Sequence, residues 1–275
     1  MIFIITLTVV MLERFFHWHH LRHWQWFSSY ERWLSLRMKA LPAALILIAV
    51  VVPPLLIISL LQHFLAGWWW GGLNFIFSVV VMLYCLGPDN LWAQAYRCIN
   101  ELSKHESAAM DHAQVAFSFS AKNQPQAFHQ AFVRAIFLAS HQRIFAVLFW
   151  FVLLGPAGAV LYRIIESMGT EAMTGAKLAN QVKALLDWLP IRLEIFLFAL
   201  GGHFTAVWAR CKRNFLNGGL QKNDLLLSQG GVAALHILKD ESLPEGGIAE
   251  KEALALIDRA LIIGLVILAL VVLLN

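Results

Sequence analysis

Long runs without charge alternate with shorter polar stretches along the chain, and nowhere does the pattern take the period of two that a half-buried strand requires. Residues 41–65 and 66–86 hold no Asp, Glu, Lys or Arg. At about 1.5 Å of rise per helical residue, each run can cross about 30 Å of hydrocarbon. Apolar runs at 144–161, 193–209 and 260–274 predict three more membrane segments. A sixth, 1–16, spans only if the aromatic residues after Glu13 and Arg14 carry it through the interface.

The polar regions, 88–142, 163–190 and 210–258, carry a helical period of their own. Leu91, Ala95, Cys98 and Leu102 share one face, and "GPDN" before them predicts a helix start in which Pro88 sits in the first turn and Asp89 favours it. Phe128, Phe132, Ala135 and Ala139 repeat the pattern, as do Leu178, Val182 and Leu185, after which Pro190 is expected to stop or kink the helix. Glycine pairs in "NGG", "SQGG" and "LPEGG" punctuate 214–250 around a short helical piece at 232–239. The pattern predicts an all-α, polytopic membrane protein of five or six segments with amphipathic cytoplasmic or interfacial helices, forming one domain over 1–275. No internal repeat of the transporter kind is visible.

Composition agrees with that class: 59% of residues are hydrophobic, 14% are charged, and the mean hydropathy is +0.65. The net charge of +4 says less than its placement. Arg14, Arg22, Arg32, Arg37 and Lys39 outnumber Glu13 and Glu31, which puts that stretch on the cytoplasmic side. If every segment crosses, 88–142 and 210–258 share that side and 163–190 lies outside; Arg163, Lys177 and Lys183 in the last region favour a re-entrant third segment as the alternative. No basic residue precedes the first apolar run and no small-residue cleavage site follows it, so a removable signal peptide is not expected. Basic and aromatic residues occur together as membrane boundaries, not as a nucleic-acid surface. Cys85, Cys98 and Cys211 are scattered and read as reduced or buried thiols.

Chemical motifs are sparse. His19 and His23, four apart with His20 nearby, could share a metal, but Trp18, Trp24 and Trp26 interleaved with Arg22 fit an interfacial segment better, and no metal site is expected. No phosphate loop and no Ser-His-Asp arrangement occurs. "GPAG", with Gly155, Pro156 and Gly158, reads as a broken or closely packed membrane helix. Asp187, Arg192 and Glu194 crowd the front of an apolar run, where each charge would cost about 2.5 to 3.5 kcal/mol at the bilayer centre. Two readings stand side by side: an interfacial helix start, or a polar pocket in which Pro190 lets Arg192 turn toward Asp187.

The blocks "VLFWFVLLGPAGAVLYRIIE" at 147–166 and "LLDWLPIRL" at 185–193 resemble the AmpE family of bacterial inner-membrane proteins and, more distantly, the CobD/CbiB cobinamide-phosphate synthases. The matching positions are Trp150, Gly155, Gly158, Tyr162, Arg163, Asp187, Trp188, Pro190 and Arg192. The AmpE resemblance implies a signalling protein of the inner membrane, linked to cell-wall recycling, β-lactamase induction and the AmpD amidase, and not an enzyme. The synthase resemblance implies a divergent ligase or transferase that uses ATP and Mg²⁺ to join an aminopropanol phosphate to a corrinoid acid. The synthases carry an acidic "E-x-x-A-E-N" element before the third segment, where this chain has Ser140, His141 and Gln142; that departure favours the AmpE reading and no cofactor. The expected pocket gathers Arg134, His141, Arg143, Trp150, Tyr162, Arg163, Asp187, Trp188 and Arg192 around an anionic small molecule, muropeptide-like or phosphate-bearing, at the membrane edge.

Overall fold

A computed structural model describes residues 1–15, 24–38, 41–66, 71–87, 89–104, 108–121, 125–169, 175–215, 218–235 and 247–274. His19, His20 and His23 lie outside the described residues. All regular structure among the described residues is helical: α1 (Ile2–Phe15), α2 (Gln25–Arg37), α3 (Ala43–Ala66), α4 (Gly72–Cys85), α5 (Leu91–Ser103), α6 (Ala109–Ala116), α7 (Pro125–Ser140), α8 (Ala146–Leu154), α9 (Pro156–Met168), α10 (Ala176–Gly201), α11 (Phe204–Phe215), α12 (Asn223–Ala234) and α13 (Ile248–Leu274). A π-helical turn, His141–Phe145, joins α7 to α8 without a break. Among the described residues three stretches are long and apolar enough to cross a membrane, Ala43–Leu65, Ala127–Leu154 and Ile248–Leu274, and Gly72–Cys85 is a shorter apolar helix. The all-α membrane class is therefore met.

Several boundaries move. The run at 144–161 is not one segment, because the helix enters from Ala127 and ends at Leu154, where Gly155 takes a φ of +68° that favours glycine. The segment expected at 193–209 is also absent: α10 begins at Ala176, passes through Pro190 and ends at Gly201, and α11 starts afresh at Phe204. Pro190 removes a single donor, a loss that a helix in a packed membrane bundle tolerates. The described residues of the region 163–190 are mostly helical, in α9 and α10. At "GPDN" a helix starts as expected, with Asn90 as the cap, its Oδ1 accepting from the Ala93 amide at 3.0 Å; Pro88 lies outside the described residues. The stripes on α5 and α7 are buried as their period predicts, but Leu185 on α10 is 63% exposed.

The chain, read from sequence as one domain, forms two compact units: Met1–Pro88 with Ile144–Asp187, and Asp89–Arg143 with Trp188–Asn275. In the first, α9 packs against α3, α4 and α8 and is buried on nearly every side, by Ala159, Tyr162, Ile164 and Met168 among others. A helix apolar nearly all round belongs at a bundle centre. In the second, α7 has the corresponding place, contacting α5, α6, α12 and α13 through Phe128, Phe132, Ile136 and Phe137. Gly230 and Gly231 let α12 come close: a Cβ on Gly231 would fall 2.7 Å from the Phe137 ring, and one on Gly230 would fall 3.0 Å from the Ile195 side chain.

Candidate functional site

In the first unit, "GPAG" sets the geometry. Pro156 occupies the first turn of α9, and a Cβ on Gly158 would fall 2.2 Å from the Trp150 carbonyl oxygen and 2.7 Å from Leu154 Cβ. Only glycine there allows α9 to fold back against α8. One turn later, Tyr162 and Arg163 enter the unit's interior at 0% and 6% exposure. Arg163 Nη1 pairs with Glu166 Oε2 at 3.0 Å, one helical turn on. Lys183 Nζ lies 3.5 Å from Asp187 Oδ2 in the i,i+4 relation on α10.

These two pairs meet at one phenol. Asp187 and Glu166 both act electrostatically on the Tyr162 hydroxyl, which makes no hydrogen bond of regular geometry. Arg163 Nε and Trp150 Nε1 are likewise buried without a hydrogen-bond partner among the described residues. A buried polar atom left unsatisfied costs about 1 to 3 kcal/mol, so such a group calls for a reason beyond packing. The expected pocket members Trp150, Tyr162, Arg163 and Asp187 thus belong to this unit, joined by Glu166 and Lys183.

Arg134, His141, Arg143, Trp188 and Arg192 belong to the second unit. There the arginines are helix clamps. Arg192 Nε donates to the Phe215 carbonyl, the last of α11, at 2.6 Å. Its Nη1 donates to Trp188 O at 2.5 Å and to Asn223 Oδ1 at 3.4 Å, its Nη2 reaches Gly218 O at 3.5 Å, and the guanidinium stacks 4.0 Å from the Trp188 ring. A cation at a helix C-terminus satisfies orphan carbonyls and complements the dipole. Arg143 does the same for α6, donating to Ala116 O at 3.4 Å while its other nitrogen bonds Gln94 Oε1 at 2.6 Å. The break at Pro190 that would turn Arg192 toward Asp187 does not exist, because α10 continues through it.

His141 and Ser140 converge on an acid the sequence had grouped elsewhere. His141 Nδ1 lies 2.7 Å from Glu194 Oε2, and Ser140 Oγ donates to Glu194 Oε1 at 3.3 Å, with all three residues at 1% exposure or less. The π-helical turn at His141 accompanies this arrangement, and nothing in the local sequence announced it. A further pair, His129 Nδ1 and Glu250 Oε1 at 2.5 Å, ties α7 to α13. Arg134 is exposed and lines a mixed polar and apolar cavity of about 570 Å³ together with His203 and Arg210. Sequence reading had named neither His203 nor Arg210 as a site residue.

Fold and sites together define a helical integral membrane protein whose charged side chains are held inside helix bundles by specific partners. Residues 6–219, more than half of the chain, match the CobD/Cbib protein family, and the chain belongs to that family. Two relatives are described as cobalamin biosynthesis protein CobD. That of Chromobacterium violaceum is 34% identical over 93 residues, covering 30% of this chain and 29% of the relative. That of Stutzerimonas stutzeri is 26% identical over 153 residues, covering 52% of this chain and 50% of the relative. The chain thus spans about half, or less, of the length of the relatives it matches. No solved structure matches it. Family and relatives fall on the synthase side of the resemblance, and nothing among them supports the AmpE side or its links to β-lactamase, peptidoglycan recycling and AmpD.

Proposed function

We propose that this protein is a divergent ATP-dependent ligase or transferase related to the cobinamide-phosphate synthases, working in the bacterial inner membrane. The observation that carries the reading is the buried cluster in which Glu166 and Asp187 flank Tyr162 beside Arg163 and Lys183. Mg²⁺ is usually held by one or two carboxylates together with substrate phosphates, and Arg and Lys recognise phosphate oxygens. The donor set fits that demand. Glu166 and Asp187 would hold the metal, and Arg163, whose Nε is unengaged, would take phosphate with Lys183. The nucleotide supplies the activation that amide formation from a carboxylate needs.

The chain's own residues bind, orient and exclude water. Arg163 and Lys183 exchange internal carboxylate partners for phosphate oxygens, and the Tyr162 hydroxyl donates at the same place. Glu166, with its side chain 24% exposed, is the member an incoming substrate meets first. The relatives' description as cobalamin biosynthesis proteins supports substrates of that chemistry; a phosphate-bearing amine and a corrinoid acid suit a site with both signs of charge. Full-length protein reconstituted in lipid should show Mg²⁺-dependent ATP turnover. Asp187→Asn should reduce it by about a hundredfold, near 2.7 kcal/mol of barrier, while helicity is retained. Unchanged turnover in folded Asp187→Asn would remove the cluster from the chemistry.

A further inference from the structure

The cavity of about 570 Å³ in the second unit sits at the corner where α10 ends and α11 begins. Its polar wall holds Arg134, His203, Thr205, Arg210, Ser228 and Gln229, and no carboxylate among the described residues lines it. Thr205 and Ala206, in the first turn of α11, also line it, so the positive end of that helix opens on the same space. Two guanidiniums, an imidazole and the Thr205 hydroxyl with no opposing acid make a site for a phosphoryl anion.

The surroundings decide the source of the phosphate. Along α10, Leu189, Leu193, Phe196 and Leu200 form a stripe with each side chain 46% to 49% exposed, and Phe204 and Trp208 continue it on α11 at 47% and 54%. An exposed apolar stripe of this kind suits the membrane interface, and it ends in aromatic residues, which favour the headgroup level. His203 stands in the chain between Leu200 and Phe204, so the cationic cavity begins at the corner where the apolar stripe turns. We propose that this cavity is a binding site for the phosphate headgroup of an anionic phospholipid, held by Arg134 and Arg210.

Native mass spectrometry and thermal unfolding of the full chain, in nanodiscs of phosphatidylcholine alone or mixed with phosphatidylglycerol, test this. The wild type should retain a phosphatidylglycerol molecule on release and unfold at higher temperature in the mixed discs. The double variant Arg134→Gln/Arg210→Gln should retain about tenfold less, whereas Lys212→Gln/Arg213→Gln, which removes equal charge from α11 outside the cavity, should behave as wild type. Ala209→Trp fills the cavity with its cations in place and should also exclude the lipid, which keeps the proposal open to refutation if the double variant fails to fold. Equal lipid retention by wild type and by the cavity variants overturns it. Displacement of the lipid by inorganic phosphate also overturns it, reassigning the cavity to a soluble phosphoryl ligand.

Discussion

Asp187 and Arg192 stand five residues apart on one helix and belong to different units, yet the surroundings of the two side chains are partnered in opposite ways. Around Arg192, every nitrogen of the guanidinium meets a carbonyl or amide oxygen, and one of them, Phe215 O, is a terminal carbonyl of α11 that has no later helical amide to accept from. Around Asp187, the polar groups outnumber good hydrogen bonds: Tyr162 Oη, Arg163 Nε and Trp150 Nε1 are buried and unsatisfied. A charge inside a membrane bundle is explained by architecture where its partners are complete. Where partners are incomplete, stability is being given up, and chemistry is the usual reason.

The largest test of that contrast is Arg192→Leu. It leaves the Phe215 and Gly218 carbonyls and the Asn223 amide oxygen without their donor inside the protein, and should destabilise the chain by about 4 kcal/mol. Asp187→Asn should cost no more than about 1 kcal/mol, because Lys183 is long enough to reach water once its partner is neutral. Reversible unfolding in mixed micelles measures both. Were the order reversed, the cluster around Asp187 would be the architectural one and the contrast would collapse.

A second test concerns His141 and Glu194. His141→Gln alone leaves the Glu194 carboxylate at 0% exposure without its ring partner, a loss of about 3 kcal/mol. The double change His141→Gln/Glu194→Gln exchanges the ion pair for an amide pair and should restore all but about 1 kcal/mol. A double-mutant cycle that came out additive would show the two side chains to be uncoupled. Next in size is Gly158→Ala, whose methyl meets the Trp150 carbonyl oxygen 2.2 Å away; overpacking of that kind costs about 2 kcal/mol. Because α9 carries Tyr162 and Arg163, this change should also disturb the cluster.

Local pairs were legible in the sequence and distant ones were not. Arg163 with Glu166 and Lys183 with Asp187 have helical spacing, though the sequence reading paired Asp187 with Arg192 and named neither, and "GPAG" announced a break with close packing because Pro at a helix start and Gly at a contact each have one physical reason. Burial of the α7 face followed from its period. Glu194 could not be assigned, since its partner His141 is 53 positions away and reaches it from a π-helical turn that no propensity encodes. Arg192 was misread for a different reason: a guanidinium near a carboxylate in sequence looks like an ion pair, and only the end of α11, folded back to it, shows that its partners are carbonyls. Pro190 misled because hydropathy places a boundary where charge ends, whereas helix continuity depends on backbone hydrogen bonds, of which Pro removes one.

The smallest effect probes whether the second unit is as dry as the burial of its two cysteines implies. Cys98 on α5 and Cys211 on α11 are 3% and 1% exposed, and burial pushes both thiols up to about 11, with Glu101 adding to the rise at Cys98 and Arg210 opposing it at Cys211. Only the thiolate alkylates, and its folded-state pKa lies above the usual value, so reactivity should be low at neutral pH and rise only toward pH 11. At pH 8 about one thiol in a thousand is ionised in the folded unit, against about one in four when unfolded. Alkylation of the native chain by iodoacetamide, read peptide by peptide so that buried Cys85 is scored separately, should therefore be slower than in denaturant by at least about a hundredfold. Ready labelling of Cys211 in the native chain would place water within the interface of α11 with α12, and Arg192 would then be one solvated cation among several instead of the clamp that closes that helix.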